Sequence, residues 1–228
     1  MIDELLAIIA PHHCYLCGET GPILCQSCKY DIASDAQTGC IVCGSATENG
    51  ICSSCRTSYE KAWCVGERID ELERLLDDYK FERVRAAHVV LADLLHLVLP
   101  VLPSNTIIVP VPTIAPHIRQ RGYDHTVLIA KRLAKLRDLP CRHLLKHNGV
   151  STQRGANRKT RIAQAKQAYR VYSDIDRSIN YLLVDDIVTT GATLQYAAKT
   201  LKDAGAGEVW VAAIARQPLD KAHSHLLK

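Results

Sequence analysis

Apolar residues between Asp70 and Leu99 recur at the three- and four-residue spacing of amphipathic helices. The triplet Tyr79-Lys80-Phe81 interrupts this spacing, so we expect two helices joined near it. A different pattern follows, because Thr106–Val111 is a β-branched run that ends among prolines and is typical of a buried strand. His117–Arg137 then returns to helical spacing with basic residues interspersed, which predicts a basic amphipathic helical region.

The C-terminal part of the chain repeats the alternation of strand and helix. Tyr181–Val184 is a short apolar strand, Leu194–Ala204 has helical spacing, and Glu208–Ala215 reads as a final strand. This order favours a parallel sheet with right-handed crossovers. We therefore predict an α/β fold with a parallel sheet over residues 65–228, preceded by a small N-terminal module over residues 1–64.

The most specific pattern lies where the strand at Tyr181 meets the next helix. Residues 182–193 read Leu-Leu-Val-Asp-Asp-Ile-Val-Thr-Thr-Gly-Ala-Thr. In a parallel sheet this turn lies at the ligand-binding edge, where the N–H groups that open a helix bind anions. We expect a phosphate to be bound by the turn residues Thr189, Thr190, Gly191, Ala192 and Thr193.

Two carboxylates, Asp185 and Asp186, directly precede that turn. They are placed to accept hydrogen bonds from hydroxyls of the molecule that carries the phosphate, and a ribose 5-phosphate meets this requirement. The segment resembles the phosphoribosyl-pyrophosphate (PRPP) motif of type I phosphoribosyltransferases, in which such aspartates serve the catalytic site.

Eight of the ten cysteines form four C-x-x-C pairs in the N-terminal module. Each pair places two thiolates on one tight turn, which suits half of a tetrahedral zinc site. We favour two successive structural zinc sites, and a cross-braced pairing of the first turn with the third remains open. Tandem pairs argue against thioredoxin-like redox chemistry, and the spacing is unusual for an iron–sulfur cluster. The expected ligands are Cys14, Cys17, Cys25 and Cys28 for one zinc, and Cys40, Cys43, Cys52 and Cys55 for the other.

The charge is divided unequally along the chain. The formal net charge is +4 overall, −4 for residues 1–64 and +8 for the remainder. Residues 142–170 contain eight Lys and Arg and no acidic residue. This segment is either a solvated basic surface or a surface that contacts polyphosphate or nucleic acid. No apolar run has the length of a membrane span, and Ile2–Ala10 is acidic where a signal peptide would be basic, so we expect a cytoplasmic protein.

The cysteine-rich start and the PRPP motif together make the chain resemble ComF/GntX-type proteins, in which a double zinc ribbon is fused to a phosphoribosyltransferase-like domain. The family's V-P-V-P strand is matched by Val109–Pro112, and its basic R-x-R-G-[FY]-[ND] segment by Arg119–Asp124. Where the family usually has Asn-Gln, this chain has Asp124-His125. A Gln and an Arg in a later loop of the family are matched by Gln153 and Arg161, with Arg158 between them.

The resemblance implies roles for these residues and partners for the protein. Arg119 and Arg121 would contact pyrophosphate together with Mg²⁺, and the loop with Gln153, Arg158 and Arg161 would close over the ligand. The family role implied is natural transformation, with single-stranded DNA and proteins of DNA uptake or recombination as partners. Two other functions fit the same residues: a phosphoribosyltransferase of nucleotide or related metabolism, and a regulator that senses PRPP.

Overall fold

The computed structural model describes residues 12–36, 38–148 and 168–218. The described chain starts with an antiparallel hairpin of β1 (His12–His13) and β2 (Thr20–Gly21), followed by α1 (Gln26–Ser34). We call residues 12–34 the first cysteine module. Residues 39–58, the second cysteine module, form turns and one isolated bridge between Gly39 and Ala46.

A sheet of four parallel strands forms the centre of the molecule. Its spatial order is β3 (Lys61–Glu67), β8 (Glu208–Arg216), β7 (Asn180–Val188) and β4 (Thr106–Pro110). The carboxyl ends of these strands share one edge, because all four run in the same direction. The predicted α/β class with a parallel sheet is thus confirmed.

Helices and one antiparallel pair of short strands cover the two faces of the sheet. The elements are α2 (Asp70–Lys80), α3 (Ala87–Val98), α4 (Ala115–Arg121), α5 (His125–Arg137), the antiparallel pair β5 (Leu145–His147) and β6 (Tyr169–Val171), and α6 (Ala192–Asp203). Leu182 and Val184 of β7 pack with α2, α3 and α5 on the first face. Tyr181 and Leu183 pack with α6 on the second face, as expected for alternating side chains on a strand.

Two predicted elements differ from those observed. The basic region is two helices rather than one, because Gly122 adopts a left-handed conformation (φ 83°) and Asp124 caps α5 through the Val127 N–H. The motif strand does not end at Val184 but continues to Val188. It does so because its backbone keeps pairing with β8 beyond the apolar residues.

The two cysteine modules pack on opposite faces of the sheet. Ile23 and Leu24 of the first module belong to the cluster that contains α2 and α3. Ile41 of the second module belongs to the cluster that contains α6, and so does Tyr59, the residue that follows this module. The domain boundary expected at residue 64 falls inside β3. Among the described residues, no helix is long and apolar enough to cross a membrane.

Candidate functional site

The structure groups the eight paired cysteines in sequence order rather than cross-braced. The sulfur atoms of each group of four lie within 4.8 Å of one another. The Sγ atoms of Cys17 and Cys25 are 3.8 Å apart, and those of Cys43 and Cys52 are 3.5 Å apart. Zn–S bonds of about 2.3 Å in a tetrahedron place sulfurs about 3.8 Å apart. Each group could therefore hold one zinc ion without a further ligand.

The pKa of at least one thiol is lowered in each group, and burial with neighbouring thiols raises the pKa of Cys28 and Cys55. Burial acts to raise the pKa of Cys14, but hydrogen bonds from backbone N–H groups outweigh it and lower the pKa to about 6. Burial likewise opposes ionisation of Cys43, and hydrogen bonds led by the one from Ser45 lower its pKa to about 6. Metal binding requires thiolates, so both groups are suited to bind metal near neutral pH.

The phosphate loop, residues 189–193, lies at the carboxyl edge of the sheet between β7 and α6. The side chains of Thr189, Thr190 and Thr193 are exposed, whereas Gly191 is buried and is the N-cap of α6. Gly191 has a φ of 73°, and a Cβ built on it would lie 3.4 Å from Val42 of the second cysteine module. Glycine is favoured there by its left-handed conformation, since a Cβ at that distance from Val42 would make an ordinary contact.

The two aspartates of the motif point to opposite faces of the sheet. They are neighbours within β7, and successive side chains of a strand alternate. Asp186 lies on the first face, where it contacts Lys80 and His125. Asp185 lies on the second face, near Tyr169, whose pKa is raised by burial and then by the Asp185 carboxylate. The prediction treated the two carboxylates as equivalent, and the structure gives them different surroundings.

Asp186 is held by two nitrogen groups in the protein interior. Its Oδ2 lies 2.8 Å from Lys80 Nζ and 2.5 Å from His125 Nε2, and all three side chains are largely buried. Arg121 Nη1 lies 2.8 Å from His125 Nδ1 and 3.2 Å from its Nε2. Burial opposes ionisation of Asp186, but the His125 hydrogen bond and the Lys80 charge outweigh it and hold its pKa far below the usual range.

The pKa of Asp185 is shifted in the opposite direction to that of Asp186. Burial, and then the negative charge of Asp186, raise its pKa to about 8. Its Oδ1 accepts a hydrogen bond from the backbone N–H of Asp186 at 2.9 Å. Within the pair, the surroundings therefore favour the negative charge on Asp186 over Asp185.

Only two of the five residues predicted to contact pyrophosphate or to close over it lie in the described part of the chain. Arg119 is exposed on α4, which follows β4 at the carboxyl edge, whereas Arg121 is half-buried against His125 and the ring of Phe81. The remaining three candidates, Gln153, Arg158 and Arg161, lie outside the described residues.

Sequence reasoning missed Lys80 as part of the site and noted His125 only as a departure from a family pattern. Lys80 ends α2 and His125 begins α5, so the contact with Asp186 depends on the packing of two helices against β7. A third contact was also missed. Arg216 at the end of β8 is buried, pairs with Glu67 and reaches the Cys40 carbonyl oxygen at 3.5 Å. The carboxyl edge is thereby connected to the second cysteine module.

Similarity to known proteins agrees with this geometry. The family model described as "Phosphoribosyl transferase domain" matches residues 151–226, which contain both aspartates and the phosphate loop. Competence protein F of Haemophilus influenzae is 31% identical over 210 residues, covering 85% of this chain and 90% of that protein. The chain belongs to the ComF family.

Two further matches of this ComF family member have lower sequence identity. Competence protein ComFC of Bacillus subtilis is 24% identical over 197 residues, covering 80% of this chain and 79% of that protein. A purine phosphoribosyltransferase structure from Pyrococcus horikoshii is 21% identical with a TM-score of 0.36, covering 62% of this chain and 77% of that one. The resemblance expected from the cysteine spacing and the PRPP motif is confirmed: this is a ComF protein with two four-cysteine groups and a phosphoribosyltransferase-like domain.

Proposed function

We propose that this ComF family protein binds a phosphoribosyl ligand, PRPP with Mg²⁺, at the carboxyl edge of its sheet and acts in DNA competence. The observation that carries the proposal is the exposed phosphate loop at the amino end of α6, directly after two buried aspartates. Helix amino ends with free N–H groups bind phosphate. The names of two relatives, competence protein F and competence protein ComFC, support the second part.

Different residues bind different parts of the proposed ligand. The N–H groups and threonine hydroxyls of the phosphate loop bind the 5-phosphate, and Asp185 accepts hydrogen bonds from the ribose hydroxyls. Arg119 and Arg121 follow β4 at the same edge and supply positive charge for pyrophosphate. Mg²⁺ usually binds through one or two carboxylates together with substrate phosphates, and Asp185 beside the phosphate loop offers this combination.

Asp186 has a second role in this proposal. Its Oδ2 is occupied by Lys80 and His125, so it reaches a ribose hydroxyl only if one of these contacts is released. We propose that Asp186 keeps Lys80 and His125 in position while its charge remains available to the ligand. His125, which stands where the family usually has Gln, thus has Asp186 as its partner in this chain.

Calorimetric titration with PRPP and Mg²⁺ tests the ligand. Wild-type protein should bind, and Asp185→Asn should weaken binding by roughly 10- to 100-fold, because one of the two acceptor oxygens is replaced by an NH₂ donor. Asp203→Asn, which removes an exposed carboxylate at the end of α6, is the matched control and should bind as wild type. Absence of binding and of any thermal shift at millimolar PRPP would contradict the proposal. Mass spectrometry of small molecules that co-purify with the protein then identifies the natural ligand.

Zinc is the metal we propose for both cysteine groups. Four thiolates per group and the observed sulfur spacing match structural zinc sites. Elemental analysis of protein purified without added metal should give about two zinc ions per chain. Iron with visible absorbance would instead indicate an iron–sulfur cluster.

Single-stranded DNA is the partner proposed for the basic segment 142–170. Lys146 is exposed on β5, and Lys159 and Lys166 lie outside the described residues. Binding should weaken steeply with salt, because phosphate contacts release condensed counterions. The triple change of Lys146, Lys159 and Lys166 to Glu should abolish binding, while Asp185→Asn should retain it. Complete displacement of DNA by saturating PRPP would show that this charge serves only the small ligand.

A further inference from the structure

A cavity lies between the second cysteine module and the phosphate loop. Its volume is about 300 Å³, at the lower end of the range for small-molecule sites. Thr190, Gly191 and Ala192 of the loop form one wall, and Arg56 with Thr57 from the second module are part of the other. A space of this size accommodates one small molecule rather than a polynucleotide.

The walls of the cavity favour an anion. Arg56 is the cation among the described residues that line it, none of them carries a carboxylate, and Cys55 adds a thiolate whose charge a bound zinc ion would partly neutralise. The first N–H groups of α6 have no intrahelical acceptor, and that of Ala192 reaches the Thr190 hydroxyl only at 3.4 Å. Positive charge and free donors therefore meet across the cavity.

A buried hydroxyl in the same cavity also lacks its partner. Tyr59 lines the cavity and is only 3% exposed, yet its hydroxyl makes no hydrogen bond within the described part of the chain. A buried donor without an acceptor is costly, so such groups generally have a partner in the functional state. Tyr59 thus borders the cavity with a hydroxyl that is itself covered by protein.

The two cysteine modules differ in the residue that follows their last cysteine. Lys29 follows Cys28 and pairs with Asp93 at 2.9 Å. Arg56 follows Cys55, is exposed, and makes no ion pair with any described residue. The charge of the first module is thus used for docking to α3, whereas that of the second is available to a ligand.

The wall that carries Arg56 is fixed to the helix. Gln195 of α6 accepts a hydrogen bond from the Ser58 N–H at 2.9 Å and donates one to the Ser58 hydroxyl at 3.0 Å. This reciprocal pair sets the distance between the second module and the amino end of α6. The cavity therefore does not require closure of a distant loop to form.

We propose that this cavity binds a phosphate monoester, with Arg56 as its counter-charge, so that the second cysteine module completes the phosphate site of the sheet edge. The proposal rests on the phosphoribosyl-binding function above and adds to it a residue and a module. A phosphodiester of DNA carries related chemistry, and the experiment separates the two sources.

The test is calorimetric titration of zinc-loaded protein with ribose 5-phosphate, with inorganic phosphate, and with a single-stranded oligonucleotide lacking terminal phosphates. Arg56→Gln should weaken ribose 5-phosphate binding about tenfold, because a charge-assisted hydrogen bond is lost. Arg56→Lys should recover part of the affinity, and Lys29→Gln, at the matched position of the first module, should leave it unchanged. Oligonucleotide affinity should be the same in wild type and Arg56→Gln.

The outcomes separate this inference from the proposed function. Equal ribose 5-phosphate affinity in wild type and Arg56→Gln, with melting temperatures matched, overturns the role of Arg56 and leaves phosphoribosyl binding intact. Arg56-dependent binding of inorganic phosphate without ribose 5-phosphate binding supports the cavity and overturns the phosphoribosyl function. An Arg56→Gln loss confined to the oligonucleotide assigns the site to a phosphodiester and overturns the inference. Binding of neither small molecule also overturns the inference, and the PRPP titration above then decides the proposed function.

Discussion

The first cysteine module packs against helices on one face of the sheet, whereas the second packs against the phosphate loop on the other. The first is anchored by Lys29 to Asp93 and by the Tyr15 hydroxyl to Asp78 at 2.6 Å. The second is anchored by Ser58 to Gln195. Two copies of one motif thus serve different purposes: one stabilises the helical layer, and the other borders the site.

The two aspartates of β7 follow the same division. Asp186 lies on the face of the first module and is ionised, and Asp185 lies on the face of the second and has a raised pKa. The face that carries the phosphate loop therefore contains a carboxyl group that can change its charge near neutral pH. The opposite face contains a fixed ion cluster that holds the sheet edge in place.

Loss of a metal ligand should give the largest difference between the modules. Cys17→Ser and Cys43→Ser should each leave about one zinc per chain by elemental analysis, and each should lower stability by several kcal/mol, since structural zinc contributes folding energy directly. Cys43→Ser should also weaken ribose 5-phosphate binding about tenfold, because Val42 and Arg56 lose their position beside the loop. Cys17→Ser should bind within about twofold of wild type, and equal weakening in both would refute the division.

Removal of each aspartate should affect stability in opposite directions. Asp186→Asn should cost about 3–5 kcal/mol in urea unfolding, because Lys80 and His125 are left without their buried partner. Asp185 has a raised pKa, so its contribution to stability is present below about pH 4 and is lost as pH rises towards 8. Asp185→Asn should therefore stabilise the protein more at pH 8 than at pH 4. A pH-independent effect of Asp185→Asn would show that this carboxyl titrates normally.

Substitution of a glycine in each module should cost different amounts of stability, because the two glycines share a conformation but differ in packing. Gly18 in the first module and Gly50 in the second have φ values of 74° and 71°. A Cβ on Gly18 meets nothing within 4 Å, whereas one on Gly50 would lie 1.9 Å from the Ala62 carbonyl oxygen of β3. Gly18→Ala should cost about 1 kcal/mol for the left-handed backbone, and Gly50→Ala about 2–4 kcal/mol because overpacking is added. Similar melting temperatures would mean that the second module moves freely away from β3.

Local sequence patterns predicted the elements whose signals are local. The periodicity of Asp70–Leu99 gave α2 and α3, the β-branched run gave β4, and C-x-x-C spacing gave both cysteine groups. These signals are sufficient because the spacing of a helix, the composition of a strand and the tight turn of a C-x-x-C pair each depend on only a few neighbouring residues.

The remaining features depend on contacts between distant segments. β3 was not predicted as a strand, because the mixed sequence Lys61–Glu67 becomes a strand only by pairing with β8 at the other end of the chain. The different environments of Asp185 and Asp186 follow from a strand that continues beyond Val184, which that same pairing decides. The cavity beside Arg56 has no local signal, since it arises where a turn and a helix meet.

The anchor of the second module should give a small difference between the modules and the most direct test of its coupling to the site. Gln195→Ala removes both hydrogen bonds to Ser58 and should cost about 1–2 kcal/mol in urea unfolding, as two part-buried bonds are lost. Tyr15→Phe removes the bond to Asp78 in the first module and should cost about 1 kcal/mol. Because only the Ser58 contact sets the wall of the cavity, Gln195→Ala should also weaken ribose 5-phosphate binding a few-fold, and Tyr15→Phe should not. A double-mutant cycle of Ser58→Ala with Gln195→Ala should give a coupling energy of about 1 kcal/mol, and a value near zero would mean that the second module is held to α6 by packing alone.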